Sequence, residues 1–230
     1  SRKTPDVQFR AAGGFLFYVN RGALPKESSR KALQKLMSSG SKHTKGPMID
    51  IPVQESTLHF LLHLLHETDC VAFAPPHQPP FEDVEEAIAS MPLYGLSPKE
   101  YIQPDSQIHR LLFSYASTSP LQVYALACRH DLRALATEVS KETLKGSVDN
   151  LPNATLNKMN PVHLKQLYVL HMNVTSALKT ILTSPPSPHP PSPTCTPALQ
   201  KEASDNWLLA TSSLILGQAH PGAWPDQSAN

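Results

Sequence analysis

The chain of 230 residues has little cysteine and little charge, and each shortage excludes a class of protein. Its three cysteines (Cys70, Cys128 and Cys195) stand far apart and form no C-x-x-C pair, which excludes a disulfide framework and favours a reducing compartment. The 20 basic and 19 acidic residues leave a net charge of +1, which argues against a nucleic-acid binder that relies on bulk positive charge. No apolar run approaches the length needed to cross a bilayer. We therefore expect an intracellular protein, cytoplasmic or nuclear, without direct contact to nucleic acid or membrane.

Motifs of catalysis and cofactor binding are missing as well. The sequence has no G-x-S-x-G elbow, no phosphate-cradling glycine loop and no H-E-x-x-H. Cys128 and His130 stand two apart, which on a helix points them to different faces, so we interpret Cys128 as a small core residue rather than a nucleophile. The acidic run 82–86 falls at a helix start, where it complements the helix dipole. We predict no enzyme, no catalytic or cofactor-binding residue, no cofactor and no small-molecule substrate.

Proline, by contrast, is plentiful at 23 residues and is unevenly spread. Seven prolines fall within residues 183–197, which contain no acidic residue and no Lys or Arg. Because proline lacks the amide donor and restricts the residue before it, this stretch predicts an extended linker. Its P-x-x-P spacings also fit proline-recognising domains, and a ligand for such a domain is the alternative to a plain spacer. Residues 75–80 are a second proline-rich break.

Apolar periodicity predicts a few short strands followed by many helices. Residues 6–10 and 15–19 around Gly13-Gly14 predict a hairpin, and 47–52 a short strand bounded by prolines. The clearest helix covers 54–66, with its leucines on one stripe. Further helices are predicted over 22–38, 82–93, 106–116, 121–130 and 133–144 and from Pro161 onward. The fold class is α+β with segregated strands and helices, not an alternating βαβ sheet.

Three histidines on the 54–66 helix form the one arrangement that invites a metal ion. His59, His63 and His66 stand at i, i+4 and i+7, so they lie near one another. A zinc site needs a further ligand and outer hydrogen-bond partners, and the sequence names none. We interpret these histidines as the solvent-side residues of the helix and predict no metal ligands. A metal-binding protein or metal-dependent hydrolase that uses the three histidines is the alternative hypothesis.

Four phrases in order resemble the BTB/POZ domain, and specifically the BTB-like group found in basidiomycete fungi. They are the hairpin at 6–10 and 15–21, the strand and helix start at 48–52 and 55–58, the segment 81–96, and PLQVYALACRHDL at 120–132. The last phrase is the most specific, because it is similar to the one with which these fungal proteins open their helical extension. The resemblance as a whole extends over roughly residues 4–182.

The resemblance implies a BTB/POZ-like domain of short N-terminal strands with clustered helices over 1–117 and a helical extension over 118–182. The linker then covers 183–205, and an apolar segment with a polar tail covers 206–230. BTB domains commonly form homodimers, and many recruit ubiquitin-ligase scaffolds or transcriptional partners. The implied function is a non-catalytic protein–protein interaction module that acts as scaffold or adaptor through self-association or partner binding. The partners implied are proteins, a second copy of the chain among them.

BTB domains build their dimer surface largely from the first strand and the first helix. The residues that the resemblance places on an interaction surface are Val7, Phe9, Leu24, Leu33 and Leu36. The chain departs from the family nearby, because Asn20 stands where the family usually has a histidine and 29–31 replace a proline and an apolar pair. The segment 97–107 is interpreted as an insertion.

The segment after the linker carries apolar side chains that need burial. Trp207, Leu208 and Leu209 are followed by Leu214, Ile215 and Leu216. Docking back onto the preceding domain is the interpretation we favour, since the linker can reach. Binding of a partner is the first alternative, and folding with sequence beyond residue 230 is the second.

Overall fold

The computed structural model describes residues 5–42, 48–66, 78–146, 148 and 151–217. The expectations for Cys70, for most of the 75–80 break, for the side chain of Leu216 and for the polar tail lie outside the described residues. The chain divides into two compact units, Ser1–Val139 and Ser140–Asn230. The finer domain ranges expected from the sequence stay predictions.

The first unit opens with a small sheet of four strands. They are β1 (Val7–Arg10), β2 (Leu16–Val19), β3 (Ser41–Lys42) and β4 (Met48–Asp50), in the order β2-β1-β4-β3. β1 and β2 form the predicted antiparallel hairpin, and β4 lies within the predicted strand at 47–52. β4 pairs with β1 in parallel, and β3 adds an antiparallel edge where no strand is predicted from the sequence. The fold class is therefore α+β, as predicted.

The register divides the side chains of the sheet between two faces. On one face Val7, Phe9, Val19 and Ile49 are buried. The opposite face, called here the outer sheet face, consists of Gln8, Arg10, Leu16, Tyr18, Met48 and Asp50. This alternation follows from the two-residue period of a strand, which sends successive side chains to opposite faces.

Helices make up most of the first unit. They are α1 (Glu27–Ser39), α2 (Glu55–His66), α3 (Phe81–Ser90), α4 (Pro98–Tyr101), α5 (Gln107–Ser114), α6 (Pro120–Arg129) and α7 (Arg133–Thr143), which crosses the division between the units. Leu58, Leu61 and Leu65 of α2 are each at most 2% exposed, which confirms the predicted stripe. Phe60 and Leu64 are buried too, so α2 is covered on more than one face.

The helix ends follow local chemistry. Glu82 and Asp83 occupy the first turn of α3, where their charge complements the amide dipoles as predicted. Ser106 caps α5 by accepting a hydrogen bond from the backbone N–H of His109 at 3.1 Å. Pro120 starts α6 because proline has no amide hydrogen to leave unbonded at that position.

The chain passes from α1 to the sheet at a point where only glycine fits. A Cβ at Gly40 would lie 2.4 Å from Ile49 Cγ2 and 2.6 Å from the carbonyl oxygen of Asp50. The missing side chain therefore lets the end of α1 approach β4 closely.

The residues expected on an interaction surface lie in the core. Val7 and Leu24 are 3% and 2% exposed, Leu33 and Leu36 are each 1% exposed, and Phe9 is fully buried. Val7 and Phe9 are on the inner face of β1, Leu33 and Leu36 are on α1, and Leu24 lies just before α1. Burial of this apolar area stabilises the chain itself. This burial does not favour an interaction surface at these residues, which stays a prediction.

The second unit contains α8 (Asn153–Leu156) and two long helices, α9 (Pro161–Thr183) and α10 (Pro197–Gly217). α10 begins within the range predicted as linker and takes in the apolar segment from Trp207. The indole Nε1 of Trp207 donates to the carbonyl oxygen of Leu182 at 3.0 Å, so this part of α10 docks on α9. Among the described residues, no helix is long and apolar enough to cross a membrane.

Candidate functional site

The outer sheet face is the candidate site, because it combines exposed apolar side chains with one ion pair. Leu16 is 47% exposed and Tyr18 is 58% exposed, and both stand on β2 at the edge of the sheet. Tyr18 lies opposite Gln8 of β1, and Gln8 lies opposite Met48 of β4. The result is a short row of apolar and amide side chains across three strands, suited to docking rather than to catalysis.

An ion pair fixes the other end of this face. Arg10 Nε and one of its terminal nitrogens donate to the two carboxylate oxygens of Asp50, both at 2.7 Å. The two residues are register partners on the parallel strands β1 and β4. The hydrogen bonds to Asp50 raise the pKa of Arg10, which keeps the guanidinium charged. A planar guanidinium held in this way presents its remaining surface to a partner in a fixed orientation.

The free edge of β2 borders the face. β2 pairs only with β1 among the described strands, so its other side carries backbone donors and acceptors without a neighbouring strand. Phe15, just before β2, is 58% exposed. Such an edge can add an extended segment of another chain by backbone hydrogen bonds, with pockets for alternate side chains.

Asp6 and Arg21 hold the far ends of the hairpin together. Asp6 accepts hydrogen bonds from the backbone N–H of Arg21 at 2.9 Å and from Arg21 Nε at 2.8 Å. These bonds, the backbone one first, lower the pKa of Asp6. Asn20, a departure from the resembled family, accepts a hydrogen bond from the backbone N–H of Gly22 at 2.9 Å and starts the turn there.

The structure brings two of the three α2 histidines together. The Nε2 atoms of His59 and His63 are 2.9 Å apart, while His66 directs Nδ1 to the carbonyl oxygen of Leu62 at 2.8 Å. His59 also lies against the ring of Phe17, at 6.1 Å between ring centroids. All three histidines are half-buried, whereas the leucines of the same helix are buried.

Burial decides the electrostatics of this histidine pair. Burial lowers the pKa of His59. Burial also lowers the pKa of His63, and the nearby charges of His59 and His66 lower it further. Glu55, one turn earlier on α2, has a buried Oε2 without a hydrogen-bond partner among the described residues. Nowhere in the described part of the chain, however, are three His, Cys, Asp or Glu side chains arranged to hold a metal ion.

Cys128 lies in the core, as its interpretation from the sequence requires. It is 4% exposed on α6, and burial raises the pKa of its thiol to about 11. Burial also raises the pKa of the adjacent Tyr124 phenol. A thiol in this state is protonated at neutral pH, which is the form without nucleophilic reactivity.

The proline-rich linker is exposed but ends in a defined turn. Ser192 and Cys195 exchange two backbone hydrogen bonds of 3.1 Å immediately before α10. The side chain of Gln200, in the first turns of α10, donates to the carbonyl oxygen of His189 in the linker at 3.0 Å. The linker is thus tied to the start of α10, a contact that proline spacing alone cannot signal.

Comparison of the chain with protein-family models, with curated proteins and with solved structures finds no match in any of the three. The BTB/POZ resemblance and the function that it implies therefore stay predictions. The outer sheet face escaped sequence reasoning because strand pairing brings its members together, and Met48 and Asp50 join it only through the pairing of β1 with β4.

Proposed function

We propose that the chain is a non-catalytic protein–protein interaction module of BTB/POZ type, which acts as scaffold or adaptor through self-association or partner binding. The observation that carries the proposal is the outer sheet face. Leu16 and Tyr18 expose about half of their surface on an edge strand, beside the Arg10–Asp50 pair. Tyrosine and arginine are the side chains most enriched where protein interfaces are energetically important.

The order of elements supports the BTB/POZ type. A hairpin precedes α1, a strand parallel to the first strand follows it, and α2 and α3 come next. α6 begins at Pro120, where the most specific resembled phrase also begins. With Val7, Phe9, Leu24, Leu33 and Leu36 in the core, the proposed contacts move to the opposite face of β1 and β2.

The test replaces apolar area on the outer sheet face by charge in the full chain. The variant is Leu16→Lys with Tyr18→Lys. Its matched control is Leu93→Lys with Phe113→Lys, at side chains that are 75% and 40% exposed elsewhere in the first unit. The oligomeric mass is measured by light scattering, and partners are captured with the tagged chain from a lysate of the source organism and compared among wild type, variant and control.

We expect self-association or specific capture in the wild type and the control, and its loss in the outer-face variant. Because both pairs of positions are exposed, neither change should disturb folding by more than surface substitutions usually do. A wild-type chain that stays monomeric and captures no protein contradicts the proposal, and so does a contact that both variants retain.

A further inference from the structure

α9 and α10 form a hairpin of two long helices with hardly any core. Gln200 of α10 bonds to His189, and Trp207 of α10 bonds to Leu182. As the position on α10 advances, its partner moves backwards along the chain, so the two segments are antiparallel. Among the side chains that the structure describes, each of these long helices has a single buried one, Leu167 on α9 and Thr211 on α10. Helices of this length normally owe their stability to a much larger buried face.

The side of α10 that packs on α9 is the more polar one. Its half-buried or buried residues are Gln200, Ser204, Trp207, Thr211 and Ile215. The hydroxyl of Thr211 donates to the carbonyl oxygen of Trp207 at 2.8 Å, so its burial is satisfied within the helix. Leu209 and Leu214, in contrast, are 70% and 53% exposed. These two leucines are therefore exposed and not part of the buried side of the helix.

The exposed sides of the hairpin differ in charge. With about 100° between successive residues, Val174 and Ile181 fall on one flank of the contact between the helices. Since the helices are antiparallel, Ala210 and Leu214 fall on the same flank, called here the uncharged flank. The five charged residues of the two helices lie on the other sides; they are Lys165, Lys179, Lys201, Glu202 and Asp205.

We propose that the uncharged flank binds the same flank of a second copy of the chain, so that two hairpins complete a four-helix bundle. The absence of charge fits an identical uncharged partner better than a charged one. A two-fold axis along the helices places α9 of one copy against α10 of the other, and every neighbouring pair is then antiparallel. This inference deepens the self-association in the proposed function, but it uses a surface other than the outer sheet face.

The heights of the side chains fit this arrangement. A two-fold axis along the helices leaves positions along the helix axis unchanged, and the hydrogen bond from the Trp207 indole to the Leu182 carbonyl oxygen places these two residues at about the same position along that axis. With a rise of about 1.5 Å per residue, Ile181 and Ala210 of the second copy then differ by about 3 Å in their positions along the helix axis. Val174 and Leu214 of the second copy likewise lie at similar positions along the helix axis. Ile181 is 63% exposed and stands opposite a small residue, so a large side chain meets a small one twice in the dimer.

The test mixes two variants of the full chain that carry different tags. Ile181→Glu and Ala210→Lys each place two unpaired charges in the dimer of their own kind. We expect each variant alone to dimerise at least about a hundredfold more weakly than the wild type. In a mixed dimer one contact is the native pair and the other joins Glu to Lys, so mixing should restore a dimer that contains both tags.

Light scattering and capture through one tag read out this result. Folding defects cannot produce it, because two misfolded chains do not restore each other. A monomeric wild type overturns the inference, and so does a dimer that both single variants retain or a mixture that stays monomeric. If the dimer persists in these variants but is lost with Leu16→Lys and Tyr18→Lys, the proposed function stands and the four-helix bundle fails.

Discussion

At the scale of single residues, the two described cysteines differ in burial. Cys128 is 4% exposed with the pKa of its thiol raised to about 11, whereas Cys195 is half-buried in the turn before α10. Since the thiolate is the nucleophile, we expect iodoacetamide at neutral pH to alkylate Cys195 at least about tenfold faster than Cys128. Mass spectrometry of the digested protein measures both sites. In urea the difference should vanish, and equal rates in the folded protein contradict the assignment of Cys128 to the core.

The histidine pair on α2 makes stability depend on pH. The folded chain holds the pKa of His59 and of His63 below the usual 6.5, mainly through burial. The unfolded chain therefore takes up protons first as the pH falls, so stability is full above pH 6.5 and declines as the pH falls from there through the folded pKa. His130, with its pKa lowered by burial and by Arg129, adds to the same decline.

Urea unfolding at about pH 7.5 and about pH 5.5 tests this dependence. We expect the midpoint to fall at the lower pH in the wild type, and to fall less in His59→Gln with His63→Gln. His189→Gln, at an exposed position in the linker, is the control and should keep the wild-type dependence. An unchanged dependence in the double variant contradicts the role of the pair.

At the scale of elements, one turn depends on a glycine. Gly95 ends the 3₁₀ turn Met91–Tyr94 with a φ of 77°, and the backbone N–H of Leu96 donates to the carbonyl oxygen of Met91 at 3.0 Å. An L-residue with a side chain is strained in this conformation, so Gly95→Ala should lower the free energy of unfolding by about 1–2 kcal/mol. Gly95→Asn should lower it less, because asparagine tolerates the left-handed region. Urea denaturation compares the two, and equal stability of wild type and Gly95→Ala contradicts the argument.

Local sequence patterns were sufficient to predict most of the helices and strands. Alternation around Gly13-Gly14 predicted β1 and β2, and leucine spacing predicted α2, because both signals come from residues close in sequence. The parallel pairing of β1 with β4 and the short β3 could not be read in this way, since they depend on contacts between distant residues.

The sequence predicted the candidate site less well than it predicted the fold. The resemblance to BTB domains placed contacts on Phe9 and Leu33, whose apolar character equally suits a core, and the core is where they lie. Nothing local distinguishes Leu16 and Tyr18 from other strand residues until the register shows which face they share with Arg10. On α10, the leucines predicted burial, yet Thr211 is the buried residue because the contact with α9 selects that side.

At the scale of the whole molecule, the two compact units should respond separately to a core substitution. Leu112 is fully buried in the first unit, and Leu112→Ala should cost about 2–5 kcal/mol of its stability. Trp207 lies on α10 in the second unit, so in a chain with Trp224→Phe the tryptophan fluorescence reports on that unit alone.

We expect Leu112→Ala to shift part of the urea transition followed by far-ultraviolet circular dichroism and to leave the tryptophan transition in place. Leu93→Ala, at a side chain that is 75% exposed, is the control and should shift neither transition by more than about 0.5 kcal/mol. A common shift of both signals in Leu112→Ala contradicts separate unfolding.

The parallel pair of β1 and β4 also governs how the protein can fold during its synthesis. The Arg10–Asp50 clamp joins residues 40 positions apart, and all of α1 lies between them. While the chain emerges from the ribosome, β1 and β2 can meet early, but the central edge of β1 stays open until β4 has been made. During that interval the growing chain exposes Phe9 and an unpaired strand edge, a combination that chaperones recognise and that favours aggregation. Slow translation once β4 has left the ribosomal exit tunnel would give the sheet time to close before the later helices appear.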